Sequence, residues 1–315
     1  MSKEIILIIS IVLSIITTKL LIPALQSLKI GQPIRAEGNK EHFAKAGTPT
    51  MGGIGFVAIF VLLTVVINGF SFDNLIIILA TLLYAGIGFI DDFSKIKKKV
   101  NEGLTERQKL ILQVGFAFLL SLLFYLFREN ASVLLIPIIN VEVNFGIFII
   151  PILMFIFVGS TNAVNLTDGI DGLLASVSIP VFFGIFVIAA SRSQEISTSA
   201  LVFAGALLGY LVFNSNPASV FMGDTGSMAI GGAITAMLML MNLTLYLAII
   251  GGLYMAEALS VMIQVAYYKK TKKRIFLMSP FHHHYELKGY KEPKIVASFM
   301  VVSTILTLIT VYLLG

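Results

Sequence analysis

Ten long apolar runs decide what this chain can become. They lie at roughly 4–25, 54–70, 74–90, 108–127, 146–162, 173–190, 199–213, 226–241, 244–267 and 295–314. Each is continuous rather than alternating, which is the pattern of a buried or lipid-facing helix and not of a barrel strand. Inside a bilayer no water satisfies a free backbone N–H or C=O, so the spans are helices. With 57% of the 315 residues hydrophobic and only 12% charged, a soluble domain is excluded. The expected fold class is an all-α polytopic integral membrane protein of about ten transmembrane helices, forming one catalytic domain over 1–315. The chain has no cysteine, which rules out disulfides and thiolate chemistry. The first run contains Lys19 and no small-residue cleavage site, so it reads as a retained span rather than a signal peptide.

Lys and Arg set the orientation. The connection after the first run carries Lys29, Arg35, Lys40 and Lys45. The one after the third carries Lys95 and Lys97 to Lys99, with Arg107 and Lys109 beside it. The one after the ninth carries Lys269, Lys270, Lys272, Lys273, Arg274, Lys288, Lys291 and Lys294. These make 18 of the 22 basic residues, all on one face, which is therefore cytoplasmic. Lys3, Arg128 and Arg192 fall on the other face, and both termini are expected outside. Asp91, Asp92, Asp168, Asp171, Asp224 and all four His gather on the cytoplasmic face, as one active site requires. On the outside, Val133 to Ile136 and Val141 to Val143 flank Pro137 and Asn140 and predict a short β-hairpin.

Five polar stretches interrupt the apolar background. The segment 162–173, NAVNLTDGIDGL, sets two carboxylates and two carboxamides beside membrane depth, where ionisable groups point to function. In a helix Asn162, Asn165 and Asp168 share a face, and Gly169 and Gly172 predict that the helix breaks. Lys45 to Gly55 joins Pro49, two Thr and a glycine cluster ahead of a helix start, which suits an anion. Asp91 and Asp92 close the third run. Adjacent carboxylates repel, and hard oxygen ligands suit Mg²⁺ shared with phosphates; a solvated helix cap is the plainer alternative. Asp224 stands in 214–227 between Gly223 and Gly226, with Phe221 placed to stack on a base or simply to pack. His282, His283 and His284 follow one another, so they cannot all face one metal from a regular helix; near phosphate, His donates hydrogen bonds or moves a proton.

Taken together these motifs resemble the phospho-N-acetylmuramoyl-pentapeptide transferases, within the polyprenyl-phosphate N-acetylhexosamine-1-phosphate transferase superfamily. The resemblance rests on KAGTPTMGG at 45–53, DDFSK at 91–95, NLTDGIDGL at 165–173, NPASVFMGDTGS at 216–227 and SPFHHHYE at 279–286. It implies transfer of phospho-MurNAc-pentapeptide from UDP-MurNAc-pentapeptide to undecaprenyl phosphate, yielding lipid I and UMP, with Mg²⁺ as cofactor, in the bacterial cell membrane. It further implies Asp224 as first metal ligand, with Asp91 and Asp92 beside it as further ligands or as the groups acting on the lipid phosphate. Catalytic roles extend to His282 and His283. Asn165, Asp168, Asp171, Phe221 and Gly223 are implied on the substrate, the uridine part above all, and Lys45, Thr50, Lys95, Gln264 and His284 along the nucleotide and its phosphates. The family's basic position after the paired Asp falls on Arg107 or Lys109. A homodimer is implied as well, and no nucleic acid partner.

Two other readings stand beside this one. A sister transferase moving GlcNAc-1-phosphate to the same lipid is disfavoured by the His run and the 45–53 stretch. A secondary transporter would show inverted repeats with broken helices in matching places; no such symmetry is present, and the carboxylates sit at one face.

Overall fold

The computed structural model describes residues 1–27, 47–98 and 103–314. A helix occupies each of the ten apolar runs. They are α1 (Lys3–Ser27), α2 (Gly53–Asn68), α3 (Phe72–Lys98), α4 (Glu106–Phe127), α5 (Ile149–Thr167), α6 (Leu173–Ala189), α7 (Gln194–Asn214), α8 (Gly223–Leu240), the pair α9 (Leu247–Ile250) and α10 (Gly252–Thr271), and α12 (Glu292–Leu314). The short α11 (Phe281–Leu287) carries the three His. Strands β1 (Val133–Ile136) and β2 (Val141–Asn144) pair antiparallel, Val133 opposite Asn144 and Ile136 opposite Val141, where the hairpin is expected.

Six helices are long and apolar enough to cross a bilayer: α1, α3, α4, α5 with its 3-10 lead-in, α7 and α12. The 244–271 segment makes a seventh only as a broken unit, because the chain bends by 80° where α9 meets α10. The run expected as one span over 244–267 is helical on both sides of this bend; Gly251 and Gly252 form the break, which hydropathy alone does not register. Helices α2 and α6 are apolar but shorter. The chain is a multi-pass membrane protein, and its surface says so independently. The most apolar window of α7 is 78% buried, but that of α1 is 22% and that of α12 is 28%. Side chains such as Leu20, Val66, Phe155 and Leu308 stand exposed on these outer helices, a surface that water does not tolerate over such an area.

Helix α8 is the axis of the bundle. Every residue from Thr225 to Leu240 is buried, as expected of a helix that is apolar all round. Its glycines set how close the neighbours come. A Cβ on Gly53 of α2 would lie 2.4 Å from the Cα of Gly226, and one on Gly88 of α3 would lie 2.1 Å from the carbonyl oxygen of Asp224. Small residues let membrane helices meet backbone to backbone, where van der Waals contact replaces the absent hydrophobic drive. The contact at Gly88 brings the end of α3 against the start of α8, one turn before Asp91 and Asp92.

Candidate active site

Asp91 and Asp92 do not end α3. The helix runs on to Lys98, so both carboxylates stand on a formed turn, about 100° apart around the axis, and face different partners. Asp92 is 1% exposed. One of its oxygens accepts the N–H of Asp224 at 3.2 Å, and the other accepts the N–H of Thr225 at 3.0 Å and its hydroxyl at 2.8 Å. These are among the N–H groups that a helix start leaves unpaired, so Asp92 caps α8 from a different helix and faces the positive end of its dipole. Met222, at the N-cap position, offers no side-chain bond. Gly223 makes the approach possible: it has φ +69°, and a Cβ there would lie 2.5 Å from Asp92 Oδ2 and 2.8 Å from Thr50 Oγ1.

Asp91 turns the other way. Its Oδ1 accepts the N–H of Leu104 at 2.9 Å, and its Oδ2 meets Lys95 Nζ at 2.6 Å. Asp224, in the first turn of α8, receives Lys109 Nζ from α4 at 2.6 Å and Lys95 Nζ at 3.4 Å, both on Oδ2. Lys95 also lies 3.9 Å from Asp92. Oxygens of Asp91, Asp92 and Asp224 all fall within 4.8 Å of one another, the one such group among the described residues. Three carboxylates face two ammonium groups, so the cluster keeps excess negative charge and hard oxygen donors: the donor set that suits Mg²⁺. Of the two bases after the paired Asp, Lys109 is the one that meets Asp224, while Arg107 is exposed.

Helix α5 presents its polar face to α4. Asn162 and Gln113 exchange amide hydrogen bonds at 2.8 and 3.2 Å. One turn on, the Asn165 amide in its satisfied orientation donates to Asp224 Oδ1 at 3.2 Å and Ser227 Oγ at 3.0 Å, and accepts from Lys109 Nζ at 3.2 Å. Asp168 is the residue that follows α5, its N–H donating to the carbonyl of Asn165. Burial of its carboxyl, then the charges of Asp224, Asp92 and Asp171, push its pKa up to about 8. A carboxyl shifted in this direction holds its proton more tightly than a free one, and in that form it can donate a hydrogen bond. The helix break expected at the glycines is present, with Gly172 in the left-handed region at φ +73°.

Phe221 is held by its backbone and half-buried at its ring. Its N–H donates to Pro49 O at 2.8 Å and its carbonyl accepts from Gly52 at 2.8 Å, so the segment before α2 lies along the segment before α8. Thr50 is buried in that seam, and its hydroxyl has no partner among the described residues. Lys45 lies outside the described residues.

The three His diverge on α11. His282 is fully buried, with Nδ1 3.3 Å from Glu257 Oε2, and a Cβ on Gly169 would lie 1.9 Å from its Nε2, so the ring backs the Asp168 loop. His283 Nδ1 meets Glu286 at 2.5 Å. His284 Nδ1 accepts the N–H of Leu277 at 3.1 Å; burial and then Lys288 hold its pKa below the ordinary imidazole value. Two expected substrate contacts have their polar atoms engaged within the fold. Gln264 accepts from Ile275 and Phe276 and donates to Phe276, each at 3.0 Å, clasping the basic loop after α10. Asp171 accepts from Asn216 at 3.1 Å and Ala218 at 3.0 Å, fixing the 214–218 turn. Glu257 and Gln113 join these contacts from outside the motifs, and Thr225 and Ser227 lie inside the 216–227 motif without an expected role. For Glu257 a signal exists, a lone carboxylate within an apolar helix.

A profile described as glycosyl transferase family 4 matches residues 74–242, which hold the three carboxylates. Among curated relatives, the phospho-N-acetylmuramoyl-pentapeptide-transferase of Clostridioides difficile strain 630 is 45% identical over 299 residues, covering 94% of this chain and 93% of its own. That of Halalkalibacterium halodurans is 44% identical, covering 98% and 96%. That of Geobacillus kaustophilus is 44% identical, covering 97% and 95%. At this identity over nearly the whole length of both partners, the chain belongs to the phospho-N-acetylmuramoyl-pentapeptide-transferase family.

Proposed function

We propose that the chain transfers phospho-MurNAc-pentapeptide from UDP-MurNAc-pentapeptide to undecaprenyl phosphate, giving lipid I and UMP in the membrane step of peptidoglycan synthesis. An oxygen of the lipid phosphate attacks the phosphorus that carries MurNAc, a new P–O bond forms, and the bond to UMP breaks. The observation that carries this reading is the group of three carboxylates on two packed helices, balanced only in part by Lys95 and Lys109. A diphosphate under attack is a concentrated anion, and preorganised positive groups stabilise the charge as it moves. Asp91, Asp92 and Asp224 would hold Mg²⁺, which neutralises phosphate charge when bound.

The protein's own residues divide the remaining work. Lys95 and Lys109 balance the carboxylates and stand ready for the phosphates. Asp91 orients the attacking lipid phosphate, and Asp92, engaged in capping α8, fixes Asp224 in place. Asn165 and a protonated Asp168 bond the uridine part while Phe221 stacks on the base, and the His helix closes over the Asp168 loop. Ten crossings with both termini extracytoplasmic, drawn from the charge asymmetry, put this site at the cytoplasmic surface. There a soluble nucleotide meets a lipid-borne phosphate.

Purified protein given undecaprenyl phosphate and Mg²⁺ should release UMP from UDP-MurNAc-pentapeptide and not from UDP-GlcNAc. Release from UDP-GlcNAc alone would assign the chain to the sister reaction, and release from neither would refute the proposal.

A further inference from the structure

Asp73 and Asp91 lie eighteen residues apart on α3, about 27 Å at 1.5 Å per residue. Arg128, 2.6 Å from Asp73, is therefore a bilayer's thickness from the carboxylate cluster. Membrane proteins place few basic residues on that face, and the charge reading leaves it only Lys3, Arg128 and Arg192. Two of the three line one cavity of about 670 Å³, between the end of α4, the start of α7 and the end of α8.

Both guanidinium groups are anchored but not exhausted. Arg128 spends Nη1 on Asp73 and Nη2 on Leu240 O at 3.3 Å; Arg192 spends Nη1 on Ile188 O at 2.9 Å and Nη2 on Leu314 O at 3.2 Å. A guanidinium has five N–H groups, so each keeps donors for an anion. Ser193, also on the wall, caps α7, whose start adds the positive end of a helix dipole. One exposed carboxylate, Glu129, shares the lining with the two arginines and is an acceptor for an O–H or N–H, and Phe127 stands exposed at the rim.

We propose that this cavity binds a phosphate ester that also carries a hydroxyl or ammonium group, the chemistry of a glycerophospholipid headgroup. The anion lies between Arg128 and Arg192, and the donor group meets the Glu129 carboxylate. In a bilayer the cavity stands at headgroup depth, with Phe127 against the acyl chains. The site is separate from the transferase centre.

Native mass spectrometry of the detergent-solubilised full chain, titrated with phosphatidylglycerol, tests this. Arg192→Gln removes one anion partner; Ser193→Asp keeps a good N-cap and sets a negative charge on the wall. Lys270→Gln, on the opposite face, is the control for general attraction. The expected result is one tightly held phosphatidylglycerol in the wild type and in Lys270→Gln, with binding about tenfold weaker in the other two, the loss of about one charge-assisted hydrogen bond. In a parallel arm inorganic phosphate replaces lipid, read as a rise in Tm. A rise lost in Arg192→Gln, without lipid selectivity, would keep the site and name a soluble phosphate as its source. Equal lipid retention and equal phosphate response in wild type, Arg192→Gln and Ser193→Asp would overturn the proposal.

Discussion

At one end of α3, Asp73 meets Arg128 at 2.6 Å; at the other, Asp91 and Asp92 meet Asp224 across Lys95 and Lys109. The first is one acid with one base, closed by a bond to the carbonyl of Leu240. The second is three acids with two bases, supplied by three helices. A matched pair ties elements together and is neutral as a whole. The unmatched cluster costs stability, since like charges are forced together, and persists because Asp92 holds the start of α8 while glycine contacts lock α3 against it. The difference separates a structural ion pair from a site prepared for charged substrates.

The comparison can be broken or sharpened by mutation, beginning with the largest effect. Asp91→Asn should lower kcat about a hundredfold or more with little change in UDP-nucleotide affinity, because a group acting on the attacking phosphate is felt in the transition state. Initial rates beside calorimetric titration of a UDP-sugar analogue would show this. Phe221→Ala should do the reverse, weakening the nucleotide by about 1–3 kcal/mol, the range for a base stacked on an aromatic ring, in the same titration. Asp92→Ala should cost about 0.5–2 kcal/mol of stability through the lost cap on α8, visible as a lower Tm in detergent, besides its loss of activity. Asp73→Asn should be mildest: about 1 kcal/mol or less of stability for a partly exposed pair, with UMP release unchanged. If Asp73→Asn harmed turnover as Asp91→Asn does, the distinction between the two ends would fail.

Much of this contrast was legible in the sequence because membranes impose simple rules. Every long apolar run is helical, Pro137 and Asn140 marked the hairpin, and the motif carboxylates Asp91, Asp92 and Asp224 converge. What stayed hidden depends on direction and pairing, which spacing does not encode. Asp91 and Asp92 read alike as neighbours, yet a 100° turn gives one a loop and the other a helix start. Arg107 and Lys109 read alike as bases, and only the placement of α4 shows that Lys109 is the one that meets Asp224. Asp171 lies inside the 165–173 motif and Gln264 outside the motifs, and the polar atoms of both are engaged by backbone and side-chain groups of the 214–218 turn and the loop after α10. The 80° break at Gly251 is invisible to hydropathy, which counts residues and not directions.

The central claim is that Asp224 belongs to a cation-binding group and not to a structural ion pair. Its most direct test is a Mg²⁺ titration of UMP release by wild type and Asp224→Asn, both checked for normal extraction and Tm. The amide keeps the shape of the side chain but loses the charge that a hard cation needs. The account predicts saturable, Mg²⁺-dependent release by the wild type and none by a well-folded Asp224→Asn. Near-normal release by Asp224→Asn at low Mg²⁺ would contradict it.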